Sequence, residues 1–428
     1  MTIDRDHISR TLMRAVAERG WVRDEDTALL FYNLTWLKHH VAELTELFPE
    51  SALHAVAVKA NPLVKVLKKM QKHGVGMEAA SLPELCLAQK AGFLPQRIVY
   101  DSPAKSNHDL AYALQAGVHI NADSLDELDR LDELLRTMPH QGTFGVRVNP
   151  QVGTGAIAML SVAGTWSKFG VPIGLQRQAL IERYLRHDWL TGIHLHVGSQ
   201  GCDLDLLANG IGVVLELAQE INQALARAGQ SRRITLFDIG GGLPVSYYPK
   251  IAAPSMADYA ALLRRRFPAL FDGTFRLVTE FGRWMYAHSG WTASRVEYVK
   301  REGALSTAII HVGADLLLRK CYRPEEWHHE ISVAGPDGRL KTGRDTALYT
   351  IAGPLCFAGD VIAREIPLPR VAEGDFIIIH DTGAYTLSMW SRYNSRQIPR
   401  VLGYQDEGEH LEVLRERETL EQVVEFWD

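Results

Sequence analysis

The sequence has few cysteines and no long uninterrupted apolar stretch. Its four cysteines, Cys86, Cys202, Cys321 and Cys356, lie far apart, and no two of them form a CxxC pair. This spacing argues against a structural zinc site and against a disulfide framework, so we expect no metal. The longer apolar stretches, such as ALLFYNL and DFIIIH, have the length of a strand and fall well short of the roughly 18 residues that a membrane span needs.

The chain also lacks an excess of basic charge and a recognisable leader. With 46 basic and 51 acidic side chains in 428 residues, its formal net charge is −5, which gives no general attraction to nucleic acid. The N-terminal segment MTIDRDHISRTLMRAVAERG mixes charges throughout and has no apolar core of the kind found in signal peptides. We therefore predict a globular cytoplasmic protein that binds neither nucleic acid nor membrane.

The chain shows two successive patterns of apolar and polar segments. Between about residues 27 and 290, short apolar runs alternate with amphipathic segments of helix length, which predicts an α/β fold with parallel strands and crossover helices. About eight such strands fit, which favours a (β/α)8 barrel of the TIM type, with an open doubly wound sheet as the alternative. After residue 290 the strand-like runs are separated by Gly, Pro and Asp. We expect residues 1–26 and 291–428 to form an antiparallel β domain packed on the barrel.

Residues with chemical potential come at the ends of the predicted barrel strands, where enzymes of this architecture build their sites. Lys59 ends the apolar run HAVAVKAN, where partial desolvation would lower its pKa and favour a Schiff base. His196 in GIHLHVGSQ has the same placement, and the turn Gly240–Gly242 would let backbone N–H groups approach a phosphate. Glu280 and Arg283, in VTEFGR, are suited to a protonated ring nitrogen and an anion, respectively.

Each of these residues, taken alone, has an ordinary structural explanation. A strand-end lysine often reaches solvent, a buried histidine is often only hydrogen-bonded, a glycine triplet can be a tight turn, and the two charges can form a surface salt bridge. Taken together, an amine, an imidazole, a phosphate cradle and a carboxylate are the parts that hold pyridoxal 5′-phosphate (PLP). The combination therefore predicts a PLP site.

The sequence resembles the fold-type III PLP-dependent decarboxylases, most closely the diaminopimelate decarboxylase branch, over nearly the whole chain. The matching segments, in order, are AVKAN, GMEAASLPEL, INADSLDEL, SKFG, HLHVGSQ, DIGGGLP, EFGR, GPLCFAGD, GAYTLSM and YNSR. The resemblance implies a barrel of the alanine-racemase type with a C-terminal β domain, and a carboxy-lyase acting on an amino acid in lysine, siderophore or polyamine biosynthesis. It also implies a homodimer with shared active sites.

The resemblance assigns roles to single residues as well. It implies that Lys59 binds the cofactor covalently, that His196 stacks on its ring and that Glu280 contacts its pyridine nitrogen. It implies that Cys356 in GPLC donates a proton from the other subunit, although most free cysteines are simply small buried hydrophobes. The other implied cofactor contacts are Ser199, Gly240, Gly241, Gly242, Gly282, Arg283 and Tyr385, and the implied substrate contacts are Arg283, Arg319, Tyr322, Phe357 and Tyr385.

Some positions depart from the family pattern. Phe357 follows Cys356 where diaminopimelate decarboxylases typically have an acidic residue suited to the distal ammonium of the substrate. Lys320 follows Arg319 in place of a proline, and Tyr322 lies three positions after Arg319 instead of four. The loss of a carboxylate opposite an ammonium changes substrate preference, so the sequence predicts the reaction class more firmly than the substrate.

Two alternative functions share the same barrel. One is a PLP-dependent amino-acid racemase, against which the GPLC segment argues. The other is a non-catalytic PLP-binding homologue, which would have no need to keep Lys59, His196, Glu280 and Cys356 together.

Overall fold

The structure is a computed structural model that describes residues 5–18, 20–303, 305–343, 345–405 and 408–428. In chain order, the strands are β1 (Ala28–Asn33), β2 (Leu53–Ala57), β3 (Gly76–Ala79), β4 (Ile98–Asp101), β5 (His119–Ala122), β6 (Phe144–Asn149), β7 (Val171–Pro172), β8 (Leu190–His194), β9 (Leu236–Asp238), β10 (Arg276–Thr279), β11 (Gly290–Glu302), β12 (Leu305–Ile310), β13 (Ile331–Ala334), β14 (Thr346–Ala352), β15 (Val361–Pro369), β16 (Phe376–Ile379), β17 (Arg400–Gln405) and β18 (His410–Arg415). The α-helices are α1 (Arg5–Ala17), α2 (Leu34–Leu47), α3 (Val64–Lys72), α4 (Leu82–Lys90), α5 (Asn107–Ala116), α6 (Leu125–Leu135), α7 (Ile173–Arg186), α8 (Leu204–Arg227), α9 (Met256–Arg266), α10 (Gly282–Tyr286), α11 (Leu318–Tyr322) and α12 (Leu420–Trp427).

The chain divides into two compact units, each with its own sheet. The barrel unit consists of His40–Val245 and Ala253–Met285. The sheet unit consists of Met1–His39, Ser246–Ala252 and Tyr286–Asp428. Each unit is therefore built from segments that are distant in the sequence.

In the barrel unit, eight of the described strands close on themselves. They follow the order β2, β3, β4, β5, β6, β8, β9 and β10, and β10 pairs back with β2. Every one of these pairings is parallel. Buried apolar side chains such as Leu53, Val99 and Val278 form part of the barrel core. The predicted α/β barrel is thus confirmed, and the open doubly wound alternative is wrong.

The segment after residue 27 is a correction to the sequence analysis, which counts it as barrel. Strand β1 runs antiparallel to β11 and parallel to β17, so it belongs to the sheet unit. Its six residues are all buried, and an apolar strand of this kind has the same pattern in either sheet. The pattern alone therefore does not reveal which sheet receives it.

The sheet unit contains a curled sheet in which β15, β14, β12, β11, β1, β17 and β18 are neighbours in that order; β16 pairs with β11, and β13 pairs with β16. The sheet is mixed, which corrects the predicted antiparallel domain: β1 pairs with β17, and β12 with β14, in the parallel sense. Helix α1 packs Ile8 and Leu12 onto this sheet, in a core that includes Phe31 stacked on Trp291 with ring centroids 4.0 Å apart.

Among the helices that the structure describes, none has both the length and the apolar character needed to traverse a lipid bilayer.

Candidate active site

Lys59 lies in a short 3₁₀ turn directly after β2, and its amine donates a hydrogen bond to Glu78 on the neighbouring strand β3. The Lys59 side chain is 42% exposed, whereas that of Glu78 is completely buried. Burial raises the pKa of Glu78 to about 7, although Lys59 lowers it. The strand end therefore pairs an accessible amine with a carboxyl group that titrates near neutral pH.

Glu280 follows β10 and is buried next to Asp238, the last residue of β9. Burial raises the pKa of Glu280 well above its usual range, and the neighbouring Asp238 raises it further. One of its carboxylate oxygens, Oε1, has no hydrogen-bond partner within the described parts of the chain. An unsatisfied buried oxygen of this kind is suited to a donor on a ligand, such as a protonated ring nitrogen.

His196 comes two residues after the end of β8 and accepts a hydrogen bond at Nδ1 from the backbone N–H of Gly241, at 3.1 Å. Burial lowers the pKa of His196 well below its usual range, and Arg147 and Lys59 lower it further. The ring is therefore neutral at pH 7, with Nε2 as its protonated nitrogen. A neutral imidazole can stack on a cationic aromatic ring without charge repulsion.

The glycine turn after β9 has no room for side chains. Gly240 and Gly242 have φ values of +65° and +105°, which disfavour residues with a Cβ. A Cβ on Gly240 would lie 2.6 Å from Nδ1 of His196, and one on Gly241 would lie 2.5 Å from the carbonyl oxygen of Glu280. The turn therefore lies against the imidazole of His196 and the backbone of Glu280, the two residues predicted to contact the ring of the cofactor.

Ser199 and Arg283 lie together although they are far apart in the sequence. The Arg283 Nε–H donates a hydrogen bond to Oγ of Ser199 at 3.3 Å. Arg283 is buried, and it follows Gly282 in the first turn of α10. A hydroxyl group and a guanidinium in contact can bind the same anion.

In the sheet unit, Cys356 is exposed on a loop that two hydrogen bonds hold in place. Its backbone N–H donates to Oδ1 of Asn394 at 2.8 Å, and the hydroxyl group of Tyr393 donates to its carbonyl oxygen at 3.1 Å. Asn394 has a φ of +58°, an unusual conformation for a residue other than glycine. The thiol is thus presented to solvent on an ordered loop.

Aromatic rings surround the residue after Cys356. Phe357 stacks on Tyr322 with ring centroids 5.5 Å apart and an interplanar angle of 29°. It meets Tyr393 edge to face at 6.4 Å. Tyr322 is 62% exposed, so this aromatic cluster has an open side.

Arg319 and Tyr385 form a second group in the sheet unit. The Arg319 guanidinium lies 4.9 Å from the ring centroid of Tyr385 and 5.0 Å from that of Trp327, within the range of cation–π contacts. Tyr385 has a φ of +56°. Strained backbone of this kind is concentrated at functional sites.

The barrel thus gathers one set of predicted site residues and the sheet unit another. The barrel set is Lys59, His196, Ser199, Gly240, Gly241, Gly242, Glu280, Gly282 and Arg283. The sheet-unit set is Arg319, Tyr322, Cys356, Phe357 and Tyr385. The role of each residue remains a prediction.

The sequence analysis missed several charged residues of the barrel. They are Glu78, Asp101, Arg147, His194 and Asp238, and all lie on barrel strands. The signal that would have found them is a charged side chain in an otherwise apolar strand, as in IVYD and LFD. A charge in such a strand is costly unless it is paired or faces a polar site.

Three of the barrel side chains also approach one another in the manner of metal ligands. Donor atoms of His194, Asp238 and Glu280 lie within 4.8 Å of one another. Burial alone would lower the pKa of His194, but Asp238, Glu280 and Asp101 together raise it well above its usual value. A protonated imidazole is paired with these carboxyl groups as a cation, and Glu280 of this cluster is also the carboxylate predicted to contact the cofactor.

The residues present fit PLP. The buried Oε1 of Glu280 lacks a hydrogen-bond partner among the described residues, so it is available to accept the N–H of a protonated pyridine ring. The glycine turn carries no side chain that would block a phosphate, although the N–H groups of Gly240 and Gly241 already donate to Asp238 and His196. Ser199 and Arg283 form an anion site, and Lys59 supplies an accessible amine. These are the groups that hold the ring, the phosphate and the aldehyde of this cofactor.

Comparisons with known proteins agree with this geometry. Residues 34–287 match the family model described as "Pyridoxal-dependent decarboxylase, pyridoxal binding domain". The chain is 30% identical to the diaminopimelate decarboxylase of Archaeoglobus fulgidus over 409 residues, covering 94% of this chain and 93% of that one. It is 30% identical to the diaminopimelate decarboxylase of Escherichia coli over 444 residues, covering 98% and 97%.

A solved structure extends the likeness to the whole fold. The diaminopimelate decarboxylase of Helicobacter pylori, complexed with L-lysine, superposes with a TM-score of 0.82 at 27% identity, covering 94% of this chain and 97% of that one. The fold, the cofactor and the reaction class all agree, so the chain belongs to the pyridoxal-dependent decarboxylase family and is a PLP-dependent amino-acid carboxy-lyase.

Proposed function

We propose that the enzyme removes the carboxylate next to an amino group of diaminopimelate, or of a related amino acid with a polar distal group, as CO2. The observation that carries this proposal is the buried, unsatisfied Glu280 oxygen on the same barrel as the Lys59–Glu78 pair. The relatives named above are diaminopimelate decarboxylases, and one of them binds L-lysine. All three are named as decarboxylases, which supports decarboxylation.

When bound, PLP supplies an electron sink for the electron pair that remains after CO2 leaves. Glu280 would accept the pyridine N–H and so favour the cationic ring. Neutral His196 would stack on the ring and exclude water from it. Lys59 would bind the cofactor aldehyde, and Glu78, with its pKa of about 7, is placed to accept or return the proton of the Lys59 amine.

The cofactor phosphate belongs with the glycine turn and the Ser199–Arg283 pair. The Arg283 guanidinium already reaches Oγ of Ser199, so both groups can donate to one phosphate oxygen or to neighbouring ones. Gly241 donates its backbone N–H to His196, which links the turn to the ring-binding residue. Gly282 precedes Arg283 and is buried with it.

The carbon that loses CO2 must gain a proton, and we assign the delivery of that proton to Cys356. The thiol is exposed on its own unit, which supports a role in a site completed by a second copy of the chain. In this proposal the enzyme is a homodimer with shared active sites, and the sheet unit contributes to the substrate site and to the dimer interface. The cytoplasmic location stays a prediction.

The substrate contacts come from the same sheet unit. Arg319, flanked by the rings of Tyr385 and Trp327, offers a guanidinium for a carboxylate. Phe357 and Tyr322 form the aromatic cluster next to Cys356, in the position where an acidic residue would face a distal ammonium. The preferred substrate is therefore one whose polar distal group can pack against the rings of Phe357 and Tyr322.

The test is direct. Purified protein with added PLP is supplied with diaminopimelate stereoisomers, lysine, ornithine and arginine, and CO2 release is measured. A second sample is reduced with borohydride, and the labelled peptide is identified by mass spectrometry. We expect CO2 from at least one diamino substrate and the label on Lys59. A label on another lysine, or racemisation without CO2 release, would refute the proposal.

A further inference from the structure

His194 is a charged residue of the barrel interior to which the proposed function gives no task. It is the last residue of β8 and is completely buried. Its Nε2 lies 3.4 Å from Oδ2 of Asp101, and its Nδ1 lies 3.3 Å from Oδ2 of Asp238. Because Asp101 is on β4 and Asp238 on β9, the imidazole joins strands that are not neighbours in the barrel.

The charged side chains around His194 form ion pairs. Lys59 pairs with Glu78, and Arg147 contacts Asp101 at 2.7 Å. His194 is the cation at ion-pair distance from Asp238, and its donor atoms lie within 4.8 Å of those of Asp238 and Glu280. It therefore provides positive charge where two buried carboxyl groups meet.

The proximity of Asp238 to Glu280 affects the protonation of Glu280, the predicted partner of the cofactor ring. Burial and Asp238 raise the pKa of Glu280, whereas His194 lowers it. A protonated Glu280 would have to donate to the pyridine nitrogen, which would leave the ring neutral and weaken it as an electron sink. An ionised Glu280 accepts the N–H of a cationic ring instead.

Asp238 gives this arrangement a fixed geometry. Its Oδ1 accepts a hydrogen bond from the backbone N–H of Gly240 at 2.9 Å, and its Oδ2 faces His194. The carboxylate is thus hydrogen-bonded to the glycine turn through Oδ1 and lies at ion-pair distance from the imidazole through Oδ2. A displacement of His194 would free Asp238 to turn toward Glu280.

We infer that His194 is a positioning residue for the pyridine-binding carboxylate: as an imidazolium at ion-pair distance from Asp101 and Asp238, it favours the ionised form of Glu280, which can then accept the ring N–H of the cofactor. This inference rests on the proposed role of Glu280. His194 touches neither substrate nor reacting atoms in this scheme and acts through Glu280.

The experiment compares the affinity of the apoenzyme for PLP with its affinity for the analogue in which carbon replaces the ring nitrogen. The ratio of the two dissociation constants reports how strongly the protein recognises the nitrogen, and it needs no turnover. It is measured for the native enzyme, Glu280→Gln and His194→Gln. The matched control is His119→Gln, because His119 is another buried barrel histidine, bonded to Thr143 and Asn121.

We expect a preference for PLP in the native enzyme, a loss of about tenfold or more in that ratio in both Glu280→Gln and His194→Gln, and little change in His119→Gln. If His194→Gln does not fold, Asp101→Asn removes the charge that holds the imidazolium from β4 and should lower the ratio in the same direction. A folded Asp101→Asn with an unchanged ratio would then count against the inference.

The remaining outcomes separate the inference from the proposed function. An unchanged ratio in His194→Gln, with a lowered ratio in Glu280→Gln, overturns the inference and leaves the role of Glu280 intact. Equal weakening of both ligands by His194→Gln shows a merely structural role and overturns it as well. No nitrogen preference in the native enzyme, or none lost in Glu280→Gln, refutes the role of Glu280 and with it the inference.

Discussion

Glu78 accepts a hydrogen bond from the amine of Lys59, and the two residues lie at the ends of adjacent parallel strands, β3 and β2. The carboxyl group is buried and the amine is accessible from outside. Covalent attachment of an aldehyde requires the neutral amine, so the ammonium of Lys59 must first give up a proton. Glu78, with a pKa near 7, is the group placed to accept it.

Glu78→Gln should slow the attachment of PLP to the apoenzyme by about 10²-fold, the usual contribution of a general base. In the native enzyme the rate should rise with pH through about 7, because Glu78 is protonated below its pKa and accepts protons only above it. The variant should lack this rise. Stopped-flow absorbance between pH 5.5 and 8.5 measures both quantities.

The matched control for this variant is Glu182→Gln, which changes an exposed carboxylate on α7 of the same unit. It should keep the native rate and the native pH dependence. If Glu78→Gln keeps the rise near pH 7, another group accepts the proton and the assignment of Glu78 is wrong.

Gly241→Ala should weaken PLP binding by about tenfold or more and destabilise the protein by roughly 1–3 kcal/mol, as overpacking typically does. A Cβ at this position would lie 2.5 Å from the carbonyl oxygen of Glu280, so the backbone that carries the carboxylate must move. Equilibrium dialysis with PLP and thermal unfolding of the apoenzyme measure the two effects. Gly343→Ala serves as the control because, among the described residues other than its chain neighbours, a Cβ at Gly343 meets no atom within 4 Å. Native PLP affinity in Gly241→Ala would contradict this prediction.

The barrel could be predicted because parallel strands buried on both faces are almost wholly apolar and alternate with amphipathic helices. The runs that contain β2 and β10 therefore stand out in the sequence, and the predicted site residues Lys59 and Glu280 come shortly after them. Strand β1 is equally apolar, but its partners, β11 and β17, lie more than 250 residues away. Because these partners are so distant, the sequence around β1 does not show which sheet the strand joins.

The charged network was not predictable in the same way. Asp101 and His194 are 93 positions apart and form an ion pair only because the barrel closes. The left-handed conformations of Tyr385 and Asn394 are also invisible in the sequence, since neither residue type demands them. Motifs therefore predict the cofactor-binding segments, whereas the contacts among their charged residues depend on tertiary structure.

The shared-site proposal predicts complementation between two inactive chains, Lys59→Ala and Cys356→Ala. In a mixed dimer one site carries both changes, and the other has native Lys59 and native Cys356. If subunits exchange freely, about half the dimers are mixed and roughly a quarter of the native activity should return, as expected for a symmetric two-site dimer. CO2 release from the mixture, compared with each variant alone, is the measurement.

The control is a mixture of Lys59→Ala with Glu280→Gln, both of which change the barrel. In that mixed dimer one barrel lacks Lys59 and the other lacks Glu280. Neither site then has all of its barrel residues, so little activity should return. Exchange is verified with a tagged subunit. Full exchange without recovery in the Lys59/Cys356 mixture would show that Cys356 serves its own chain or none.

Phe357 should make the enzyme a poor decarboxylase of meso-diaminopimelate. The distal ammonium of that substrate is charged at pH 7, and a phenyl ring cannot accept its hydrogen bonds. A cation–π contact would offset only about 0.5–2 kcal/mol of the loss. Substitution of Phe357 by Glu should therefore raise kcat/KM for this substrate by about tenfold or more, while Phe357→Leu, which removes the ring without adding charge, should not.

A substrate with a neutral or anionic distal end should show the opposite order. The Phe357 ring, stacked on Tyr322, gives such a group a wall without negative charge, and Arg319 adds a cation in the same unit. The measurement is kcat/KM for both substrate classes in the native enzyme, Phe357→Glu and Phe357→Leu. If the native enzyme already reaches about 10⁴ M⁻¹s⁻¹ with meso-diaminopimelate and Phe357→Glu lowers that value, the aromatic wall suits the distal ammonium and our specificity argument is wrong.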